Sequence, residues 1–323
     1  MVRFTSKGMA FLIFFMETVI ITGGTGLIGK ELAKMLVAKG YEVIILTRNL
    51  RPAENKIRYA QWDINKGTID ETAIHEADYV IHLAGAGVAD KKWTAKRKKE
   101  IVDSRVKSGE LLVRSLANVP NKVKAVIGAS AIGWYGEDPV VPNPTPFTEE
   151  AKHDENFLGE TCYLWEKSLD QLNSTLIRLV KLRTGIVLSN NGGAFAEFRK
   201  PVRMGVAGIL GNGKQIISWI HIEDLCRQYI YAIENKLLSG VYNAVAPSPV
   251  SNKELTIKLA KKSKGSFYIP INVPVFVLKI VLGERTVEIL KSTTVSTAKM
   301  HRQGFTFLYP SIDSALDQLI REL

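Results

Sequence analysis

At 323 residues, with 46% apolar and 23% charged positions, the chain can form one large α/β domain with a smaller lobe, or two modest domains. Its two cysteines, Cys162 and Cys226, exclude a disulfide framework and fit a reducing, cytoplasmic setting. The formal net charge of +11 steers anionic ligands such as nucleotides toward the chain, but no basic stretch is interleaved with aromatics, which argues against nucleic-acid binding.

The apolar run from Ala10 to Met16 follows Arg3 and Lys7 in the manner of a secretion signal. It is far shorter than a membrane span and has no small-residue cleavage site before Glu17, so no membrane association is expected. Residues 1–15 read as an upstream extension, with a targeting segment as the alternative, and the folded domain begins near Met16.

Thr18 to Thr22 is a short β-branched run, expected as a buried strand. A glycine loop follows, then helical periodicity from Lys30 to Lys39, a stop at Gly40, and a second strand from Glu42 to Thr47. Further strands are expected at Tyr79–Leu83, Lys124–Ala129 and Ser174–Leu179, with Thr184–Leu188 leading away from the last. Helices are expected from Trp93 to Asn118 and from Phe157 to Gln171, with a proline-rich loop from Pro139 to Pro146. Strands alternating with helices predict an α/β fold, a doubly wound parallel sheet of the Rossmann type. After Leu188 the alternation loosens, which predicts a dinucleotide-binding domain over 16–189 and a smaller substrate-side lobe over 190–323, some of whose segments return to the sheet. The basic run Lys91, Lys92, Lys96, Arg97, Lys98 and Lys99 reads as a solvated helix face, with anion binding as the alternative.

The loop Thr22-Gly23-Gly24-Thr25-Gly26-Leu27-Ile28-Gly29 places glycines at 23, 26 and 29 between a strand and a helix. Gly23 permits the tight turn, Gly26 lets the backbone approach a pyrophosphate, and Gly29 lets the helix pack on the strand. The diphosphate would then meet the helix N-terminus, beside Thr25, Leu27 and Ile28. NAD binders place an acid at the end of the second strand to hold the ribose 2′-hydroxyl; here Thr47-Arg48-Asn49 stands there. A guanidinium suits a 2′-phosphate, so NADP is expected over NAD.

The glycine loop, with His82-Leu83-Ala84-Gly85 after a later strand, resembles the extended short-chain dehydrogenase/reductase superfamily. Five further segments, beginning at Glu100, Ser130, Arg183, Ser218 and Gly240, resemble one atypical branch, the epimerase-like proteins often named NAD-dependent epimerase/dehydratase. Gly304-Phe305-Thr306-Phe307 before Tyr309-Pro310 resembles that branch's own C-terminal segment. The resemblance implies further cofactor contacts: Thr47 and Arg48 at the adenosine ribose phosphate, and Leu83, Ala84 and Gly85 along the dinucleotide. It also implies Glu100 and Arg105 from the flanking helix, and Val187 over the nicotinamide end. For Glu100 and Arg105 a surface ion-pair helix is the plainer alternative.

Members of the superfamily use a tyrosine and a lysine four residues apart with a serine or threonine. The lysine lowers the tyrosine pKa and the tyrosine exchanges a proton. Tyr163 and Lys167 have that spacing, and Ser130 at a strand end could supply the hydroxyl. In the atypical branch the recurring letters are Cys162, Trp165 and Glu166, so the alternative register puts Cys162 and Glu166 at the catalytic positions. Ala131 stands where the superfamily's hydroxyl commonly sits. His221 and Asp224 read as structural groups at a helix start, with substrate contact as the alternative. Gly211-Asn212-Gly213, with Lys214 and Gln215, reads equally as a plain turn or a pocket border. No metal-ligand spacing appears. The expected function is an NADP-dependent oxidoreductase or epimerase-like enzyme acting on a small polar, sugar-like substrate, as a monomer or homodimer. The alternative is a non-catalytic NADP(H)-binding regulator that acts through a protein partner, with a link to cell division.

Overall fold

A computed structural model of the chain describes residues 16–322; the expected extension at 1–15 lies outside the described residues. The first half of the chain runs β1 (Thr18–Thr22), α1 (Leu27–Ala38), β2 (Glu42–Thr47), β3 (Ile57–Asp63), β4 (Thr68–Ile69), α2 (Glu71–Glu76), β5 (Tyr79–His82), α3 (Ala95–Asn118), β6 (Ala125–Ala131), α4 (Phe157–Lys167) and β7 (Arg178–Thr184). The second half runs β8 (Ile186–Leu188), α5 (Ala194–Arg203), β9 (Val206–Leu210), β10 (Ile216–Ile217), β11 (Trp219–His221), α6 (Ile222–Glu234), β12 (Gly240–Ala244), β13 (Val250–Ser251), α7 (Asn252–Lys264), β14 (Ile269–Val273), α8 (Val275–Leu282), α9 (Thr286–Leu290), α10 (Ala298–Arg302) and α11 (Ile312–Arg321).

Eight strands form one sheet in the order β12-β7-β6-β5-β1-β2-β3-β4. Every neighbouring pair is parallel except β3 with β4. Parallel strands need helical crossovers on both faces, and that is why β1 reads as an unbroken β-branched run: every one of its residues is buried. One face packs α1 and α6 over a core that includes Ile21, Leu32, Leu36, Val43, Leu225 and Tyr229. The other packs α2 and α3 over Ile20, Ile44, Val80, Leu112, Val126 and Leu179. Strand order reverses at β1, whose neighbours are β2 and β5. Such a switch point opens a crevice at the carboxyl ends of the two strands, and there the chain places its glycine loop and the segment after His82.

Several elements differ from the sequence expectation. Helix α1 begins at Leu27, directly on the glycine loop, rather than at Lys30. Strands β3 and β4 were not expected; β3 alternates buried with exposed positions beyond β2, a half-covered edge without the continuous apolar run of its neighbours. Helix α4 ends at Lys167, and Asp170–Ser174 forms a separate 3-10 turn, so β7 starts at Arg178 rather than Ser174. That strand also runs on to Thr184, because Lys181 and Arg183 are buried inside it and interrupt its hydrophobic pattern.

A separate core built from Phe195, Val202, Trp219, Leu255, Leu259 and Leu316 holds a C-terminal lobe, with β9 and β14 as a parallel pair beside α7 and α11. The chain leaves this lobe at α6 and β12: α6 covers the sheet, and β12 pairs along β7 to become its outer strand. Asp224, buried near the start of α6, accepts hydrogen bonds from the backbone N–H groups of Leu308 (2.9 Å) and Tyr309 (2.8 Å). It also receives Arg227 at 2.7 Å, so one carboxylate ties the C-terminal segment to the dinucleotide-type layer. Among the described residues no helix is long and apolar enough to cross a membrane, and no cluster of potential metal ligands occurs.

Candidate functional site

The glycine loop is held from both sides. Gly23 has a φ of +69°, and a Cβ on it would lie 2.9 Å from the carbonyl carbon of Leu83. A Cβ on Gly29 would lie 2.5 Å from Gly24 Cα, so the first turn of α1 presses directly on the loop. Gly26 caps the helix without a side chain, and the first turn carries no acid. The leading N–H groups of α1, among them those of Leu27 and Ile28, therefore point toward the exposed Thr25 and Gly26 with neither an intrahelical acceptor nor a competing anion. This is a fit for a pyrophosphate: a cradle that side chains would fill, facing the positive end of a helix dipole.

Across the crevice, Thr22 anchors the end of β5. Its Oγ1 accepts the N–H groups of Leu83 (3.1 Å) and Ala84 (3.2 Å), which leaves its own proton to donate to His82 Nδ1 at 2.9 Å. His82 is fully buried, and burial pushes its pKa down to about 4, so the ring is neutral and its Nε2–H points at Ser108 Oγ, 3.3 Å away. Ser108 passes the chain on to the carbonyl of Arg105 at 3.0 Å. The end of β1, the end of β5 and the helix α3 are thus joined by one buried hydrogen-bonded line beneath the crevice.

Of the two α3 residues expected to touch the cofactor, Arg105 turns inward. It donates to the carbonyls of Ala86 (2.9 Å) and Ile101 (3.0 Å) and lies over the Trp165 ring at 4.7 Å. Burial lowers its pKa to about 10, still charged at neutral pH. A Cβ on Gly85 would come within 3.0 Å of its Cζ, which accounts for the glycine there. Glu100 instead faces solvent and pairs with Arg97 at 2.8 Å, the surface ion pair; that contact holds its carboxyl below the usual range. At the end of β2, Thr47 Oγ1 accepts the N–H of Asn49 at 3.2 Å, and Arg48 is exposed with no ion pair among the described residues. Val187 is half-buried on β8, beside Gly193: a Cβ at Gly193 would stand 3.2 Å from Leu27 and 3.8 Å from the Val187 carbonyl. Leu27 and Val187 therefore meet at the same rim.

The expected proton-transfer residues are placed in two groups. Tyr163 and Lys167 come together on one face of α4, Nζ to Oη 3.3 Å, with the Tyr163 ring stacked on His153 at 4.4 Å. Ser130 is elsewhere: its hydroxyl donates to Glu166 Oε1 at 2.7 Å and is buried. Glu166 also receives Arg183 through Nε (2.8 Å) and Nη2 (3.1 Å). Arg183 stacks over Trp134 at 3.6 Å and donates to Tyr135 Oη at 3.1 Å, which itself donates to Asn243 Oδ1 at 2.6 Å. The sheet-facing side of α4 thus carries Cys162 and Glu166, and Tyr163 and Lys167 lie one step round the helix. Burial pushes the Cys162 thiol up to about 12, which removes it as a nucleophile.

This buried polar cluster was missed as a unit by sequence reasoning. A signal was present: Arg183 lies within the apolar β7, and a charge in a central strand needs a paired partner. His221 and Asp224 are structural. His221 caps α6 by accepting the N–H of Glu223 and donates to Gln318 Oε1 at 2.9 Å. The 211–213 turn is closed by its own backbone, Gly213 N–H to the Leu210 carbonyl at 3.0 Å, and Gln215 is buried behind it.

Comparison with known proteins agrees with this geometry. Residues 19–244 match the model of the NAD dependent epimerase/dehydratase family, and residues 273–319 match a domain of unknown function, DUF1731. The epimerase family protein YfhF of Bacillus subtilis is 36% identical over 306 residues, covering 94% of this chain and 98% of that protein. A crystal structure of the human epimerase family protein SDR39U1 with NADPH is 28% identical and superposes with a TM-score of 0.84, covering 95% of this chain and all of that one. The nucleoside-diphosphate sugar epimerase from Corynebacterium glutamicum is 30% identical with a TM-score of 0.74, covering 95% of this chain and 58% of that one. With a Rossmann sheet, a glycine cradle at its switch point and both family models in order, the chain belongs to the NAD dependent epimerase/dehydratase family.

Proposed function

We propose that the protein is an NADP(H)-dependent oxidoreductase of the epimerase/dehydratase type, acting on a small polar, sugar-like substrate. The observation that carries the cofactor choice is Arg48: an exposed guanidinium at the end of β2, where an NAD-specific site would present a carboxylate. The NADPH bound by the human relative supports the same reading. Gly23, Gly26 and the first N–H groups of α1 would hold the pyrophosphate, Thr47 and Arg48 the ribose phosphate, and Leu83, Ala84, Arg105 and Val187 the remainder of the groove. A bound nicotinamide supplies or accepts a hydride. Tyr163 is the proton-transfer group in this proposal, with Lys167 donating a hydrogen bond to its oxygen at 3.3 Å.

Fluorescence titration with NADPH and NADH tests the first half. NADPH should bind at least about tenfold more tightly, and Arg48→Ala should erase that preference. Binding of neither nucleotide would end the oxidoreductase reading. Tyr163→Phe tests the second half: it should leave NADPH affinity unchanged and remove turnover once a substrate is found.

One observation favours a second reading, a cofactor-binding regulator without turnover. Ser130, the hydroxyl expected to assist the tyrosine, is buried and committed to Glu166. Under that reading NADPH binds, Tyr163→Phe changes nothing, and a protein partner responds to the loaded state.

A further inference from the structure

Helix α8 inverts the usual arrangement of an amphipathic helix. Of its eight residues, Val-Phe-Val-Leu-Lys-Ile-Val-Leu, only Leu278 is buried. Phe276 is 65% exposed, Ile280 73% and Val281 60%. The strand leading into it is uncovered as well, with Ile269 and Ile271 exposed. Single apolar residues on a surface need no explanation, but a contiguous apolar stretch of this kind marks a contact face. From Gly265 to Gly283 the chain carries one charge, Lys279. At eight residues α8 is far too short to span a bilayer, so any lipid contact would be made lying in the plane of the surface.

Two contacts fix what stands beside it. Just beyond α8, Arg285 donates to the carbonyl of Ala89 in the loop after β5, and Glu284 pairs with Lys98. These bring the lysine run of the sequence up to the end of the apolar helix. The nearby acids are already engaged: Glu284 by Lys98, and Asp90 and Glu100 by Arg97. Lys91, Lys92, Lys96 and Lys279 are exposed and have no ion pair among the described residues. An uncovered apolar ridge flanked by free ammonium groups is the chemistry of a face that inserts at the headgroup boundary and meets lipid phosphates.

We propose that α8 and this lysine cluster form a peripheral docking face for an anionic lipid surface. Phe276, Ile280 and Val281 enter the headgroup region, and Lys91, Lys92, Lys96 and Lys279 meet the phosphates. This departs from the expectation of no membrane contact drawn from the sequence. A second copy is a poorer occupant: a two-fold contact through α8 would set the same lysines of both copies against one another. None of Phe276, Ile280, Val281, Lys91, Lys92, Lys96 and Lys279 is among the residues assigned to the cofactor, so the proposal stands apart from the reading above.

The test is co-flotation of the full chain with phosphatidylcholine vesicles and with vesicles containing phosphatidylglycerol. Binding is expected to the anionic vesicles, weakened by raised salt and reduced about tenfold or more by Lys91→Glu with Lys92→Glu. The pair Phe276→Glu and Ile280→Glu should abolish it while leaving the thermal melt unchanged, because both side chains are exposed. No binding of the unaltered protein to anionic vesicles would overturn the proposal, as would binding that the α8 substitutions do not affect. A concentration-dependent dimer dissolved by Ile280→Glu would assign the face to a second copy instead.

Discussion

Glu166 of α4 and Arg183 of β7 form a two-pronged ion pair, Nε to Oε1 2.8 Å and Nη2 to Oε2 3.1 Å, with only 5% and 2% of their side chains exposed. Neither charge has water to fall back on. The pair also organises its surroundings, since Ser130, Trp134 and Tyr135 all take their positions from one of its two members.

Removing one partner leaves the other charged and buried. Glu166→Ala is therefore expected to lower stability by about 3–5 kcal/mol, read by urea denaturation. The double variant Glu166→Met with Arg183→Met should cost less than the sum of the singles, because it strands no charge. A loss below about 1 kcal/mol for Glu166→Ala would mean the pair opens readily to water.

The helix–loop contact at Gly29 bears on cofactor affinity. A methyl group there meets Gly24 Cα at 2.5 Å and the Gly23 carbonyl oxygen at 2.6 Å, both backbone atoms that cannot step aside. Gly29→Ala should push α1 off the loop and weaken NADPH binding by at least about tenfold, or 1.4 kcal/mol. Unchanged affinity would separate this loop from the cofactor.

His82 sets a pH dependence. Its folded pKa of about 4 lies below the ordinary value of 6.5, so between the two the unfolded chain binds the extra proton. Stability is fully present above pH 6.5 and declines as pH falls toward 4, by up to about 3 kcal/mol. Denaturation midpoints at pH 7.5 and pH 5 should differ more in the native protein than in His82→Gln. Equal differences would exclude His82 as the source.

Asp224 is the hinge between layers. Asp224→Ala removes the acceptor from two backbone N–H groups and from Arg227, at a cost of about 2–4 kcal/mol. Limited proteolysis should cut the variant around residues 303–311 well before the native chain. If the cleavage pattern is unchanged, the packing of Phe305 and Phe307 on α6 holds the segment by itself.

The glycine loop, the parallel sheet and both four-apart pairs of α4, Tyr163 with Lys167 and Cys162 with Glu166, are legible in the sequence. So are the structural roles of His221 and Asp224 and the missing acid after β2. Strand β3 escaped because its half-exposed pattern carries less signal than a buried run. The end of β7 was set too early because two buried cations, Lys181 and Arg183, break its apolar stretch, and the partners that make those cations tolerable lie elsewhere in the chain.

That division follows the range of the forces involved. A pyrophosphate cradle is backbone geometry within eight consecutive residues, Thr22 to Gly29, so glycine placement alone determined it. The choice between Tyr163 with Lys167 and Cys162 with Glu166 could not be made locally. Both pairs are four apart on one helix, and a single residue turns the helix by about 100°. What turned Glu166 inward was Ser130, 36 residues earlier, and Arg183, 17 residues later, each delivered by its own strand of the sheet. Likewise the lysine run and the apolar α8 lie far apart in the chain, and only the contacts of Glu284 and Arg285 put them side by side.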